Sequence, residues 1–440
     1  MKQLSLQYKI LLGRLLTRSG DQAWDFAVPI VLLKIFPDQL QVAALYFFIA
    51  KLLNVILLPK ITSLIDEINR LKAARLGTVF QLIGVFIGVL SIVVLNDLTM
   101  GEFIWTIWPI AAFSLLIVGG LLSSLGSAFM DIAIANDLVP SSLKPEELST
   151  FNSRLRQIDL FTEVTSPVVA GLLLLLNSPA LFGFYFIAIW NLISFFPELS
   201  LIKSVLNNKP DLMLEKKKIS EQTKQSILKK LSDGWTSFFK EPIALVALAY
   251  SFLWLSVLSP HGVLLTGFLK DGWNMPEWSI GVFRGGGAVF GLLATLAFPW
   301  AVKKWGLIQS ARNFILYQTL MLIISLGFFY MDGFIGQLGF LVFILFSRVG
   351  LYGFSLGEME IRQLGIHPAV RGKVNGFASA LTGIATLFLY AAGTLLPSTN
   401  DFRILIVGSV VFVAIGCLTY LVWLGRNAKS ELTALTKQIE

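Results

Sequence analysis

The chain has 440 residues, of which 55% are hydrophobic and 14% are charged, and its mean hydropathy is +0.74. A soluble core cannot hide that much apolar surface, so the composition excludes an ordinary soluble protein and predicts a membrane protein. The net charge of +8 does not indicate a nucleic-acid partner, because basic residues also collect in the loops on one side of a membrane. The single cysteine, Cys417, excludes an internal disulfide.

About twelve long apolar segments follow one another along the chain and predict an all-α membrane protein. None of them alternates apolar and polar residues as the strands of a membrane barrel do. The first segment carries Arg14, Arg18 and two aspartates and lacks a small-residue cleavage site, so we expect no cleavable signal peptide. The segments centre near residues 22, 52, 84, 121, 164, 190, 255, 290, 320, 347, 384 and 413.

Positive charge is distributed unequally between alternate loops. The loops after the even-numbered spans are rich in Lys and Arg, and residues 203–240 alone hold nine lysines against four acidic residues. The other loops carry little positive charge beyond Lys270 and Arg403. Positive loops stay on the cytoplasmic side of a membrane, so both termini are expected in the cytoplasm.

The same basic stretch predicts how the chain is divided. We expect a six-helix bundle over residues 1–205, a basic cytoplasmic linker over 206–240 and a second six-helix bundle over 241–440. A short basic turn follows the second span at Lys60, and another follows the eighth span at Lys303. Matching turns of this kind are typical of parallel-repeat transporters, and the six-plus-six plan resembles the major facilitator superfamily.

Two aspartates lie four residues apart in the first predicted span. Asp21 and Asp25 share one face of a helix, and Thr17 extends that face by one turn. A carboxylate within the bilayer costs about 2.5–3.5 kcal/mol, so it is retained where it meets a partner or lines a wet cavity. The pattern favours a cation pathway. The alternative is a structural pair neutralised by Arg14 or Arg18 of the same helix.

The sixth predicted span carries a second set of oxygen donors. Asn191, Ser194 and Glu198 fall on one helical face and form a hard-oxygen ligand set. Pro197 cannot donate an amide hydrogen, so carbonyls that precede it are available to a ligand. Gln81 of the third span is a further candidate ligand. The alternative is a hydrogen-bonded cluster that joins the sixth span to a neighbouring helix.

A proline and a glycine interrupt the seventh predicted span at Leu258–Gly262. Irregular backbone at membrane depth is tolerated where it lines protein or water. His261 lies at this break, and imidazole binds transition metals and exchanges a proton near neutral pH. We therefore consider His261 a metal ligand or proton carrier, with a structural hydrogen-bonding role as the alternative.

Two short stretches match enzyme motifs but lack the structural context that catalysis requires. Gly353–Gly357 matches G-x-S-x-G, but this nucleophile motif requires a strand before it and a helix after it, and here it falls inside a predicted span. The glycine patch at Arg284–Gly287 is typical of close helix contact and not of a phosphate loop. We expect no enzymatic activity.

Charged residues at the cytoplasmic ends of the spans predict a gate closed by ion pairs in one state and open in the other. The alternative is that they are ordinary positive residues on the cytoplasmic side. The predicted members are Arg154, Arg156 and Asp159 of the fifth span, with Asp66, Asp131 or Asp137 opposite.

Six stretches, spread over nearly the whole chain, resemble the ferroportins and specifically their prokaryotic members. They are Leu12–Trp24, Asn152–Leu160, Trp190–Ser194, Pro260–Gly262, Ser347–Ser355 and Arg371–Gly376. Ferroportins are Fe(II) exporters of the major facilitator fold with one metal site in each half. The resemblance implies an N-half metal site made of Asp21, Thr17, Asn191, Ser194 and Phe195. It also implies a Ca²⁺ site made of Asp21, Gln81, Asn191 and Glu198.

The chain departs from the vertebrate pattern at both sites. Vertebrate members have His where this chain has Asp25, and they build the C-half site from a Cys and a His. Here His261 is the one obvious C-half candidate, so a vertebrate-like second site is not expected.

Together these features predict a bacterial inner-membrane, multi-pass carrier that exports divalent metal, Fe²⁺ first, by alternating access. Metal binding to ligands that must lose protons favours metal/proton antiport. We expect a monomer in the lipid bilayer, with no cofactor beyond the transported metal and a possible regulatory Ca²⁺. One alternative is an organic-cation or drug efflux carrier of the same fold, and another is a metal receptor that does not transport.

Overall fold

The structure is a computed structural model that describes residues 5–36, 40–98, 106–175, 181–213, 234–236, 238–260, 262–395 and 402–427. Over these residues the regular structure is helical, without a β-strand. The first helices are α1 (Leu6–Ile35), α2 (Leu40–Thr62), α3 (Leu64–Glu67), α4 (Arg70–Leu98), α5 (Ile107–Asp131), α6 (Val139–Ser142), α7 (Pro145–Leu174) and α8 (Phe182–Asn207). A π-helical stretch, Ile132–Leu138, joins α5 to α6, and a 3-10 turn, Pro210–Met213, follows α8.

The later helices begin with two short ones that flank a break. They are α9 (Ala244–Leu253), α10 (Val263–Gly267), α11 (Glu277–Trp305), α12 (Leu307–Phe329), α13 (Gly333–Gly365), α14 (Arg371–Leu395) and α15 (Phe402–Asn427). A π-helical turn, Phe268–Gly272, continues α10, and a 3-10 turn, Pro368–Val370, precedes α14. Most of the predicted linker, residues 214–233 and 237, lies outside the described residues.

Ten helices within the described residues are long and apolar enough to cross a membrane. Two of the predicted spans are not among them. The helix α1 carries charged side chains along much of its length, from Lys9 to Lys34. The seventh span is divided between α9 and α10. The all-helical membrane architecture is therefore confirmed, and the total of twelve spans stays a prediction.

The chain forms two compact units. The first contains Met1–Ser141, Ile158–Gln222 and Pro368–Gly376, and the second contains Ser142–Gln157, Thr223–His367 and Phe377–Glu440. Three helices, α6, α7 and α14, therefore have residues in both units. The division predicted from the basic stretch, with bundles at 1–205 and 241–440, stays a prediction.

Glycines, which have no side chain, allow close helix packing in the first unit. The helices α4 and α5 make one of its two largest packing contacts. A Cβ atom on Gly84 of α4 would lie 2.7 Å from the Gly119 carbonyl oxygen of α5, closer than real side chains approach. Gly126 of α5 likewise lies against Gln81, where an added Cβ would be 2.8 Å from the Gln81 backbone nitrogen. The glycines therefore hold Gln81 against α5.

The helix α1 packs closely against α8 in the same unit. A Cβ atom on Gly20 would lie 3.0 Å from the Asn191 Cα atom and 3.1 Å from the Ser194 hydroxyl oxygen. One turn further along α1, the Trp24 ring lies 5.3 Å from the Phe184 ring, centroid to centroid. The packing thus brings the polar face of α1 against the predicted ligands of α8.

The predicted break in the seventh span is confirmed in the second unit. Helix α9 ends at Leu253, and helix resumes at Val263. Side chains satisfy the backbone in between. Ser409 accepts the amide hydrogen of Val257 at 2.8 Å, and Arg348 donates to the carbonyl oxygen of Leu258 at 2.8 Å. Arg348 therefore replaces a donor that a continuous helix would have supplied.

The G-x-S-x-G match and Pro197 both lie inside helices. Gly353–Gly357 lies inside α13 and is not preceded by the strand that the nucleophile motif requires, as expected. Pro197 lies inside α8, which continues to Asn207, and it supplies no amide hydrogen to the carbonyl oxygen of the preceding turn.

The packing predicts that Gly84→Ala lowers the melting temperature of the purified protein. The added methyl group must push α4 away from α5, and overpacking of a filled site costs about 1–3 kcal/mol. Gly285→Ala is the matched control, because a Cβ there meets nothing within 4 Å. Equal melting temperatures for the two variants would contradict the close packing of α4 on α5.

Candidate functional site

A polar stripe runs along α1. Arg14, Arg18, Asp21 and Asp25 follow one another at spacings of four, three and four residues, which places them on one helical face. Thr17 is buried beside them. The stripe brings two cations and two carboxylates together on one helix. Whether it can bind a cation depends on which of these charges are already paired.

The Asp21 carboxylate is 7% exposed and is held by neutral groups. Ser127 of α5 donates a hydrogen bond to its Oδ2 atom at 2.9 Å, and the Gln81 amide of α4 approaches the same oxygen at 3.5 Å. Among the described side chains, no cation lies within ion-pair distance of Asp21, and its Oδ1 atom accepts no hydrogen bond of normal geometry. Asp21 therefore presents one oxygen and its negative charge to a ligand.

The two arginines of the stripe bind other carboxylates. Arg14 forms ion pairs with Asp131 at the end of α5 and with Asp159 of α7, the latter at 2.9 Å. Arg18 lies 3.4 Å from each of the same two carboxylates. The two positive and two negative charges balance within this cluster. The alternative in which Arg14 or Arg18 pairs directly with Asp21 is therefore not the arrangement that the structure has.

The helix α8 supplies the second side of the site. Glu198 is 4% exposed and accepts a hydrogen bond from the Thr17 hydroxyl at 2.7 Å. Ser194 donates to the backbone carbonyl oxygen of Asn191 at 2.7 Å, which leaves the oxygen of its hydroxyl as an acceptor. The Asn191 amide lies beside the Asp21 carboxylate, but its geometry falls short of a normal hydrogen bond. Side chains of α1, α4, α5 and α8 thus converge around Asp21.

Three amide atoms at this place are buried without a partner in the part of the chain that the structure describes. They are both polar atoms of the Asn191 side chain and the Oε1 atom of Gln81. Leaving a buried polar group unpaired costs about 1–3 kcal/mol. Native proteins retain such a cost mainly where another molecule or ion completes the hydrogen bonding or coordination. The unpaired oxygens of Asn191 and Gln81 flank the carboxylate of Asp21.

The remaining predicted ligands differ in their placement. Asp25 is exposed, and it lies within electrostatic range of Asp21, Arg18 and Lys51 of α2. Phe195 is fully buried in the apolar core, and its hydrocarbon side chain has no donor atom for a metal. His261 lies outside the described residues.

The donors that meet at Asp21 are almost entirely oxygens. Within the described residues, no group of three or more His, Cys, Asp or Glu side chains could hold a metal ion. The candidate site instead combines carboxylates with amide and hydroxyl oxygens. Such a set suits hard divalent cations, which take six to eight or octahedral oxygen ligands. Softer metals prefer nitrogen and sulfur ligands.

The residues predicted to form a gate belong to several clusters. Asp131 and Asp159 pair with Arg14 and Arg18, as described above. Asp137 pairs with Arg70 at 2.9 Å. Arg156 lies over the ring of Tyr352, 4.8 Å from its centroid, and Arg154 is exposed. The gate stays a prediction, and the structure adds Arg14, Arg18 and Arg70 to its possible members.

Asp66 has a different partner from the predicted arginines. Its carboxylate accepts the backbone amide hydrogens of Gly372 and Lys373, at 2.7 and 2.8 Å. These amides belong to the first turn of α14, where the helix dipole favours a negative charge. Asp66 therefore caps α14.

Sequence reasoning missed Ser127, the strongest hydrogen-bond donor to Asp21. A lone serine among the small residues of α5 carries no recognisable signal. Its position one helical turn before Asp131 places it on the face that meets α1.

The unpaired amide of Asn191 yields a direct test. We expect Asn191→Leu to leave the melting temperature of the metal-free protein unchanged or raised, because it removes a buried polar group that has no partner. The same variant should lose the rise in melting temperature that Co²⁺ or Fe²⁺ gives the wild type.

Asn152→Leu is the matched control. Asn152 is as deeply buried as Asn191, but its amide is paired with Gln363. This substitution should lower the melting temperature of the metal-free protein and leave the metal-induced rise intact. Equal loss of metal-free stability in both variants would show that Asn191 is a structural residue.

Comparison with known proteins identifies the family. Residues 5–413 match the family model of Ferroportin1 (FPN1). Ferreportin of Bdellovibrio bacteriovorus is 43% identical over 428 residues, which cover 96% of each chain. Ferroportin of Homo sapiens is 22% identical over 521 residues, which cover 94% of this chain and 90% of the human one.

Solved structures agree with this assignment. A bacterial homologue of the iron transporter ferroportin, in an outward-facing state, superposes with a TM-score of 0.88 at 42% identity and covers 96% of this chain and 99% of its own. An inward-facing structure of such a homologue gives a TM-score of 0.65 at 41% identity, with coverage of 95% and 98%. The proton:xylose symporter XylE, at 14% identity, 94% coverage of each chain and a TM-score of 0.63, shows the major facilitator fold alone. The chain is therefore a multi-pass membrane transporter, not an enzyme, and it belongs to the ferroportin family.

Proposed function

We propose that this protein exports divalent transition metal, Fe²⁺ first, from the bacterial cytoplasm by alternating access, in exchange for protons. Asp21 is the principal ligand, and Asn191, Ser194 and Gln81 complete the shell with neutral oxygens. Because carboxylates must be ionised to bind a metal, binding releases any protons that they hold, and this links metal movement to proton movement.

The observation that carries the proposal is the state of Asp21. A buried carboxylate in a membrane protein is expensive unless a cation meets it. The arginines of its own helix are paired with Asp131 and Asp159, and the groups that touch Asp21 are neutral. A mobile divalent cation would supply the positive charge that Asp21 lacks. The solved relative, described as a bacterial homologue of the iron transporter ferroportin, supports Fe²⁺ as the first metal to test.

The topology that we propose follows from the charge pattern and the helix bounds. Adding α1 and the broken pair α9–α10 to the ten long apolar helices gives twelve spans in two sets of six. The excess of Lys and Arg in alternate loops places both termini in the cytoplasm. We propose the bacterial inner membrane as the location and a monomer as the working unit.

The flux of metal through proteoliposomes tests the proposal. Asp21→Asn should reduce the initial rate of Fe²⁺ or Co²⁺ flux to that of protein-free liposomes, because the amide keeps the volume and removes the charge that attracts the metal. Asp97→Asn, which alters an exposed carboxylate at the end of α4, should leave the rate unchanged. Wild-type flux in Asp21→Asn would remove Asp21 as the central ligand.

The same preparation separates the alternatives. Flux of organic cations that metals do not inhibit would indicate a drug carrier in which Asp21 and Asp25 act as counter-ions. Metal binding without flux of any substrate would indicate a receptor. A panel of divalent metals in this assay also ranks the substrates, which ligand type alone does not do.

We also propose that Ca²⁺ binds the same cluster through Asp21, Gln81, Asn191 and Glu198, all of which offer hard oxygens. By calorimetry, Glu198→Gln should weaken Ca²⁺ binding by at least about tenfold, or ~1.4 kcal/mol. The Gln side chain retains an acceptor for Thr17, so the loss reports the charge. Glu146→Gln, at an exposed glutamate, is the control. Equal Ca²⁺ affinity in wild type and Glu198→Gln would exclude Glu198 from the site.

His261 remains our candidate for a second, weaker metal or proton site in the C-terminal half. In the backbone that precedes it, Ser409 accepts the amide hydrogen of Val257 and Arg348 donates to the carbonyl oxygen of Leu258. The positive guanidinium at this carbonyl disfavours a divalent cation at the same oxygen. This charge supports a C-half site weaker than the one at Asp21.

A further inference from the structure

Two polar contacts join the start of α7 to the end of α13 inside the second unit. The Ser149 hydroxyl donates to a carboxylate oxygen of Glu360 at 2.6 Å. Three residues further along both helices, the amides of Asn152 and Gln363 exchange hydrogen bonds at 2.7 and 3.2 Å. All four side chains are buried. Because three residues make almost one helical turn, the two contacts use one face of each helix.

Glu360 is a buried acid without a charged partner. It is 2% exposed, and its Oε2 atom has no hydrogen-bond partner among the described residues. No described cation lies within ion-pair distance of it, and its one polar contact is with Ser149. The titratable groups of the surrounding helices make their contacts elsewhere. Glu358 pairs with Arg362, Tyr250 bonds Ser355, Arg156 stacks on Tyr352, Arg312 bonds Asn313, and Tyr420 bonds Ile308.

This environment favours the neutral acid. An ionised carboxylate that is buried with a single hydrogen bond loses most of its hydration and gains little in return. When the start of α7 moves away from α13, water reaches Glu360 and the carboxyl group can ionise. The contact and the bound proton therefore stabilise each other, since a ligand shifts a conformational equilibrium by its difference in affinity for the two states.

We propose that Glu360 is a proton-binding site, that its proton holds the α7–α13 contact together, and that this proton is exchanged for metal in addition to any that the metal ligands release. The last part rests on the proposed function as a metal/proton antiporter. The sign is fixed by the chemistry: the contact is formed at low pH and is lost as the pH rises, because deprotonation leaves a buried charge. The Asn152–Gln363 pair does not titrate and contributes equally at every pH.

Distance measurements between spin labels test the site in the full-length protein. The single cysteine is first removed as Cys417→Ala, and labels are placed at Thr150→Cys on α7 and Leu364→Cys on α13. We expect the distance to lengthen as the pH is raised. In Glu360→Gln, which keeps an acceptor for Ser149 and carries no charge, the short distance should persist at every pH. Asn152→Ala is the control and should enlarge the long-distance population while keeping its dependence on pH.

The outcomes separate this inference from the proposed function. A pH-dependent distance that survives in Glu360→Gln, or no pH dependence in wild type, overturns the inference. If Glu360→Gln does not fold, Ser149→Ala replaces it, and lengthening should then begin at lower pH; an unchanged midpoint overturns the inference. In proteoliposomes, Glu360→Gln should flatten the pH dependence of metal flux. Absence of flux in wild type contradicts the proposed function alone, because the distance measurement still decides whether Glu360 binds the proton.

Discussion

The uncompensated charge of Asp21 is the constraint on which the rest of the N-terminal site depends. Two arginines lie on the same helical face, one and two turns away, and either one would neutralise it if it were free. Both form ion pairs with Asp131 and Asp159, and neither lies within ion-pair distance of Asp21. The neutral donors Ser127 and Gln81 orient the carboxylate without supplying a counter-charge. A site of this kind attracts a cation and also allows it to leave.

Close helix packing is what places neutral donors around that charge. Gly20 allows the backbone of α1 to approach Asn191 and Ser194, and Gly126 allows Gln81 to lie against α5. The site therefore draws its ligands from four helices. A movement of one helix changes the number of ligands that reach the metal, which is what a carrier needs in order to bind its substrate in one state and release it in another.

The sequence predicted the fold class and several of the side chains that meet around Asp21. Hydropathy identified the helices, and helical spacing placed Asp21 with Thr17 and Asn191 with Ser194 and Glu198, because both rules act within one helix. Contacts between helices were harder to predict. Ser127, the capping of α14 by Asp66 and the pairing of Arg14 with Asp131 all depend on how helices pack, which no local pattern encodes.

A transported metal should complete the coordination of Asp21. Anomalous X-ray diffraction at the iron edge, from crystals of the full chain grown with Fe²⁺ in the absence of air, tests it most directly. We expect an anomalous peak at bonding distance from a carboxylate oxygen of Asp21, with the side chains of Asn191 or Ser194 turned toward it. An iron peak elsewhere in the protein, with Asp21 still bound only to Ser127 and Gln81, would exclude Asp21 as a metal ligand.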